Sequence, residues 1–136
     1  MKTKGEFIVI KWDEKNCGEI SNNMVMARAA ITYNATGNVQ GDFNVEYILH
    51  YTNFNTENQH NSEATYIGYM LFSGTIDGKC GTFALEDRGY YSAAGPVSDL
   101  FIKPDTGTGD LAGISGTGRF YSNGLKMIIE IDYTLS

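Results

Sequence analysis

Hydrophobic positions in this chain recur at every second residue, not at the three-to-four spacing of a helix. From Val39 the odd positions read Val39, Gly41, Phe43, Val45, Tyr47, Leu49 and Tyr51, while the even ones read Asn38, Gln40, Asp42, Asn44, Glu46, Ile48 and His50. Such alternation marks a long strand with one buried face and one wet or functional face. The C-terminal segment repeats it, with Leu125, Met127, Ile129, Ile131, Tyr133 and Leu135 set against Lys126, Ile128, Glu130, Asp132 and Thr134. Counting such runs predicts about eight strands, near residues 5–12, 24–33, 38–52, 63–76, 79–90, 96–102, 116–122 and 124–135. No stretch carries a helical stripe, and residues 13–22 hold at most one short turn.

Turn chemistry supports this pairing. Asp77-Gly78 and Asn123-Gly124 each stand before or between alternating runs, and both dipeptides suit the positive φ angles of two-residue hairpins. The polar run from Asn53 to Asn61 reads as a hairpin tip. A sheet joined mainly by hairpins removes its exposed edges by closing on itself. The expected fold is therefore all-β: a single eight-stranded antiparallel barrel of the up-and-down, lipocalin-like kind, spanning 1–136 as one domain. The interior of a barrel of this size is filled by side chains or holds one small ligand. A two-sheet sandwich is the structural alternative.

Composition narrows the function classes. The 136 residues carry a net charge of −6 and no basic run, which argues against nucleic-acid and anionic-membrane surfaces. No apolar stretch follows Met1-Lys2-Thr3-Lys4-Gly5-Glu6, and no segment approaches the roughly 20 apolar residues of a membrane helix. Cys17 and Cys80 form no Cys-x-x-Cys pair, so the expectation is a cytoplasmic protein with reduced thiols.

Candidate chemistry is sparse. The segment Thr106 to Gly118 holds glycines that would suit a phosphate cradle, but it lacks the Gly-Lys-Ser/Thr ending of a P-loop. It reads as a tight connection into a strand. Arg28 sits in an otherwise apolar run, Glu46 shares a face with Asn44 and Ile48, and Glu86 and Arg88 share a face with Ala84. If those faces point inward, a paired Arg–Glu network would bind a carboxylate or tune an acid; if outward, they meet solvent or a partner subunit. Tyr66 joins them as a candidate hydroxyl donor. His50 and His60 lack companions at ligand spacing, so neither metal nor cofactor is expected.

The run Gly107-Thr108-Gly109-Asp110-Leu111-Ala112-Gly113-Ile114-Ser115-Gly116-Thr117-Gly118 resembles a motif of a small bacterial family of unknown function. So do Phe7…Trp12, Gly41…Glu46-Tyr47 and Gly68…Phe72-Ser73-Gly74…Gly78…Gly81-Thr82-Phe83. Members of that family are single barrels resembling allene oxide cyclase. The resemblance implies an eight-stranded, oligomeric barrel and no established activity. Met70-Leu71 stands where the family hairpin often carries a charged pair, and no catalytic residue of the plant cyclases has a matching motif here.

Three functions fit these observations. The first is binding of a small, mostly apolar ligand with one polar or anionic end inside the barrel. The second is a cofactor-independent isomerase or cyclase that holds a small hydrophobic substrate in a productive shape. The third is a structural oligomer with a filled barrel. Strand 63–76 is apolar on both faces, with Tyr66, Met70, Phe72 and Ile76 opposing Ile67, Tyr69 and Leu71. A homo-oligomer, dimer or trimer, is the simplest cover for such an outer face, the alternative being the N-terminal segment or the 53–61 loop folded over it. Light scattering at micromolar concentration is expected to find a particle of two or three times the 15.0 kDa chain mass; a particle of the chain mass itself rules the oligomer out.

Overall fold

The alternating runs pair into one closed sheet. The computed structural model describes residues 1–21, 24–53 and 62–136, with the side chains of 19–21 excepted. Its strands are β1 (Lys2–Ser21), β2 (Met24–Gly37), β3 (Val39–Asn53), β4 (Glu63–Ile76), β5 (Lys79–Ser92), β6 (Gly95–Ile102), β7 (Ile114–Ser122) and β8 (Met127–Leu135). Each is antiparallel to the next, and β1 pairs with β8 to close the barrel. Odd residues of β2, β3, β5 and β8 and even residues of β4 and β6 face inward, so the period-two pattern becomes the core. Among the described residues no helix is long and apolar enough to cross a membrane.

β1 departs most from the pattern. It continues through 13–21, where the sequence suggests only a short turn, because its register against β2 jumps from Val9↔Tyr33 to Lys11↔Thr32. Ile10 is the extra residue of a bulge, which swaps the inward parity from odd to even. That is why Phe7-Ile8-Val9-Ile10 shows no alternation. β1 pairs with β8 only from Lys2 to Phe7 and then runs on beside β2 alone.

The turns differ in the same instructive way. Asp77 and Gly78 both take positive φ, 51° and 82°, as a two-residue hairpin requires. Asn123-Gly124 does not make such a turn. The Asn123 Oδ1 accepts from the Leu125 and Lys126 amides at 3.0 and 2.7 Å, which opens a four-residue loop and delays β8 to Met127. The polar tip expected at 53–61 lies, beyond Asn53, outside the described residues.

One end of the barrel is packed solid. Phe43 and Phe72 lie 4.7 Å apart between ring centroids and Phe72 and Phe83 5.1 Å, with Leu85, Leu100 and Ile131 buried around them. The glycine-rich segment seals that end, so the structural interpretation of it holds. β6 pairs with β5 only at residues 85–92, leaving the 80–84 edge to this segment. The Thr108 amide donates to the Thr82 carbonyl at 2.9 Å, the Thr106 hydroxyl accepts from the Ala84 amide at 3.0 Å, and Leu111 is driven fully into the base. Asp77 ties the termini to the same end, accepting from Thr3 at 2.8 Å and from Tyr133 at 2.6 Å. The Tyr133 hydroxyl, helped by Thr3, holds its carboxyl below the usual range.

Outside, Ile48, Ile67, Tyr69 and Leu71 form an exposed apolar stripe across β3 and β4. In the sealing segment Gly109 answers to a backbone demand: its φ is 60°, and a Cβ there would stand 2.8 Å from the Cys80 carbonyl oxygen. Gly109→Val is expected to cost roughly 1–3 kcal/mol of strain and to lower the melting temperature by several degrees. An unchanged melting curve would show that the segment does not seal the base.

Candidate functional site

The barrel is tall on one side and short on the other. β1 to β5 each run at least 14 residues, whereas β6, β7 and β8 have 8, 9 and 9. β6 begins level with the end of β5 and stops short of the base, whereas β7 and β8 stop at Ser122 and Met127 while β1 runs on beside β2, and the interior at that open end is hollow. The cavity measures about 930 Å³. Phe7, Ile31, Leu49 and Met127 form apolar walls, the buried Tyr33, Tyr47 and Tyr66 form a floor, and Trp12, Glu14, Tyr51 and Tyr91 stand at the rim.

Beneath the floor lies a carboxyl group. Asp87 is on the inward parity of β5, after Phe83 and Leu85, and is fully buried. Its Oδ2 accepts a short hydrogen bond from the Tyr47 hydroxyl, and Tyr33 and Tyr47 hydroxyl oxygens are 3.5 Å apart. Oδ1 has no hydrogen-bond partner among the described residues, and the neighbouring Ser98 hydroxyl meets that of Tyr66 at 2.5 Å. Burial drives the Asp87 carboxyl up to about 7, against the Tyr47 and Ser98 hydroxyls, which favour its charged form. Burial likewise makes the Tyr33, Tyr47 and Tyr66 phenols harder to ionise, and the Asp87 charge adds to this. The floor is thus a set of neutral hydroxyls wired to one proton-binding carboxyl.

The rim owes its chemistry to the Ile10 bulge. With parity swapped, Trp12 faces inward opposite Ile31, and Glu14 inward opposite Ala29. Glu14 accepts from Trp12 Nε1 at 3.1 Å through Oε1 and from the Tyr51 hydroxyl at 2.6 Å through Oε2. Burial first, and then the Glu14 charge, raises the Tyr91 phenol.

Of the residues singled out from the sequence, Tyr66 lies in the cavity and the others do not. Arg28, Glu46 and Arg88 are exposed on the outer face, and Glu86 is largely covered there. Glu86 accepts from Arg88 at 2.8 Å and approaches Lys103 at 3.9 Å, while the Arg88 guanidinium sits 5.9 Å from the Phe101 ring centre. The inward orientation considered for these charges is corrected by strand parity. On β2, β3 and β5 the inner positions are odd, and all four are even. The signal that would have found Asp87 is a carboxylate on the same parity as Phe83 and Leu85. Glu14 had no comparable signal, because the bulge hides its face.

His60 lies outside the described residues, and among those described no three His, Cys, Asp or Glu side chains gather as a metal would need. A second hollow, of about 910 Å³, lies on the outer face over β1, β6, β7 and β8. It is edged by exposed charges of both signs, Lys4, Asp99, Arg119 and Asp132 among them, and its buried polar residue Thr3 has its hydroxyl bonded to Asp77.

A family model described as protein of unknown function, DUF3224, matches residues 3–133. The crystal structure of a protein of unknown function from the DUF3224 family, from Shewanella oneidensis MR-1, superimposes with a TM-score of 0.79 at 21% identity, covering 100% of this chain and 98% of that one. At that identity the likeness speaks for the fold. No curated protein matches the chain.

Asp87 makes stability depend on pH. Its carboxyl titrates near 7 when folded but near the ordinary 3.8 when unfolded, so between those values the native state binds more protons. Stability contributed at this site therefore falls as pH rises from about 4 to 7 and levels off above, by up to roughly 4 kcal/mol. Asp87→Asn is expected to melt higher than the parent at pH 8, with the two curves converging near pH 4. Parallel curves across that range would show that Asp87 does not hold its proton.

Proposed function

This chain belongs to the DUF3224 family, a family of unknown function, and we propose that it binds a small, mostly apolar molecule in the open end of its barrel, with the molecule's polar end meeting hydroxyl groups inside. The observation that carries this is the cavity of about 930 Å³, walled by Phe7, Ile31, Leu49 and Met127 above the hydroxyls of Tyr33, Tyr47 and Tyr66. That combination of apolar walls and a few convergent polar groups, at that size, is how ligand sites are built. The packed base supports it too. Phe43, Phe72, Phe83 and Leu111 already fill the lower interior, so the hollow is not needed to complete the core.

A second reading is favoured by Asp87. A carboxyl that exchanges its proton near pH 7 behind a tyrosine is what a cofactor-independent isomerase or cyclase would use as its acid or base. Binding comes first in either case. Asp87 meets the cavity through its hydrogen bond with Tyr47, so in the enzyme reading Tyr47 would touch the substrate and Asp87 would act through it.

Trp12 is the only tryptophan and stands at the rim, which supplies a built-in reporter. Titration with the neutral dye N-phenyl-1-naphthylamine is expected to change Trp12 emission saturably. The paired substitutions Ile31→Phe and Leu49→Phe, which crowd the walls, should weaken that binding about ten-fold or more while leaving the far-UV circular dichroism unchanged. A non-saturable response in the parent protein would sink the proposal.

A further inference from the structure

We infer that the polar end accepted by this cavity is a positive charge, an organic ammonium seated at the rim between the Glu14 carboxylate and the rings of Trp12, Tyr51 and Tyr91. This rests on the binding reading above and specifies its ligand. The first support is the charge of the lining. Among the described residues Asp13 and Glu14 are the acidic residues of its lining, Glu14 on the inward parity, and no Lys, Arg or His lines it. Nor do residues 19–23 and 54–61, whose side chains are not described, include any Lys or Arg. An anionic end would sit beside the Glu14 carboxylate with no cationic side chain to offset it, and such a like-charge contact is costly.

The second support is the way Glu14 is held. Trp12 Nε1 and the Tyr51 hydroxyl each donate to a different oxygen of this one carboxylate, at 3.1 and 2.6 Å. Two donors on rigid rings fix the carboxylate without neutralising it. A carboxylate has about four lone-pair sites, so both oxygens keep acceptor capacity for a further donor. An ammonium brings the charge and the protons that such an acceptor favours.

The third support is the company the carboxylate keeps. Trp12, Tyr51 and Tyr91 surround the rim, and Tyr33, Tyr47 and Tyr66 lie below them. The negative faces of aromatic rings attract cations, tryptophan most strongly, and aromatic boxes with a carboxylate are a recurring way to bind amines and quaternary ammonium groups. Deeper still, Asp87 adds a negative field whenever it is ionised. A neutral polar end would draw on none of these terms beyond ordinary hydrogen bonding.

Displacement of N-phenyl-1-naphthylamine, followed by the dye's own emission at pH 7.5, tests this with three probes of one shape: 4-phenylbutylammonium, 4-phenylbutanol and 4-phenylbutanoate. The ammonium is expected to bind about ten-fold more tightly than the alcohol, and the carboxylate most weakly. Glu14→Gln should bring the ammonium to the affinity of the alcohol, both read against the dye affinity of the variant itself. An alcohol or carboxylate that equals the ammonium on the parent protein overturns the inference, and that ranking alone decides if Glu14→Gln does not fold. A preference that survives Glu14→Gln overturns the seat assigned to the cation. Failure of the dye itself to bind would strike the binding reading instead.

Discussion

Closure of the sheet rests on the short pairing of β1 with β8, from Lys2↔Asp132 to Phe7↔Met127. Those residues use the backbone groups of both edges, and without them the sheet would expose two long unpaired strands. The same strand must also serve β2 along almost its whole length. β1 meets both demands by closing the barrel with its first third and then leaving it. Where it leaves, the extra residue Ile10 turns the strand over, so that the face carrying Thr3 and Phe7 gives way to one carrying Trp12 and Glu14. The open mouth and its rim follow from that one accommodation.

The interior divides accordingly. At the base, seven strands converge with the glycine-rich segment, which takes the place β6 leaves beside β5, and phenylalanine and branched side chains fill the space. Towards the mouth, β7 and β8 end at Ser122 and Met127 while β1 runs on beside β2, and from that side Pro96 and Met127 line the hollow. Aromatic residues still line the taller wall, but with hydroxyls rather than methyl groups at their tips. Burying Asp87 and its tyrosines here works against stability. A carboxyl kept neutral by desolvation, with one oxygen unpaired, contributes less than a leucine of similar volume would in a packed core. Polar groups retained at such a cost, beside a hollow, are the usual mark of a site rather than of packing.

Charge on the outer surface has a different standing. Glu86, Arg88 and Lys103 form a small network over Phe101 and Tyr69, at the solvent face of β4, β5 and β6. Pairs of this kind contribute little to stability and are screened by salt. They do break up the apolar stripe of Ile48, Ile67, Tyr69 and Leu71, which would otherwise run uninterrupted across the sheet.

Much of the architecture was legible in the chain, because strand alternation and turn chemistry are local. The runs in 38–52, 63–76 and 79–90 specify β3, β4 and β5 within a residue or two, and Asp77-Gly78 specifies its hairpin through the φ angles those two residues tolerate. Which face of a strand turned inward was equally local wherever apolar residues kept to one parity, as on β3. It was less plain on β5, where Glu86, Asp87 and Arg88 are consecutive and only the parity of Phe83 and Leu85 marks the middle one as inward. It was not local on β1, where the bulge at Ile10 answers to β8 and β2 together and shows in the sequence only as a lapse of alternation that names no inward face. The sequence by itself therefore determined the strands, the barrel they close and the glycines that seal its base. Only the tertiary structure decided the site, since Asp87 and Glu14 acquire their roles from a parity and a register that are properties of paired strands and not of either strand alone.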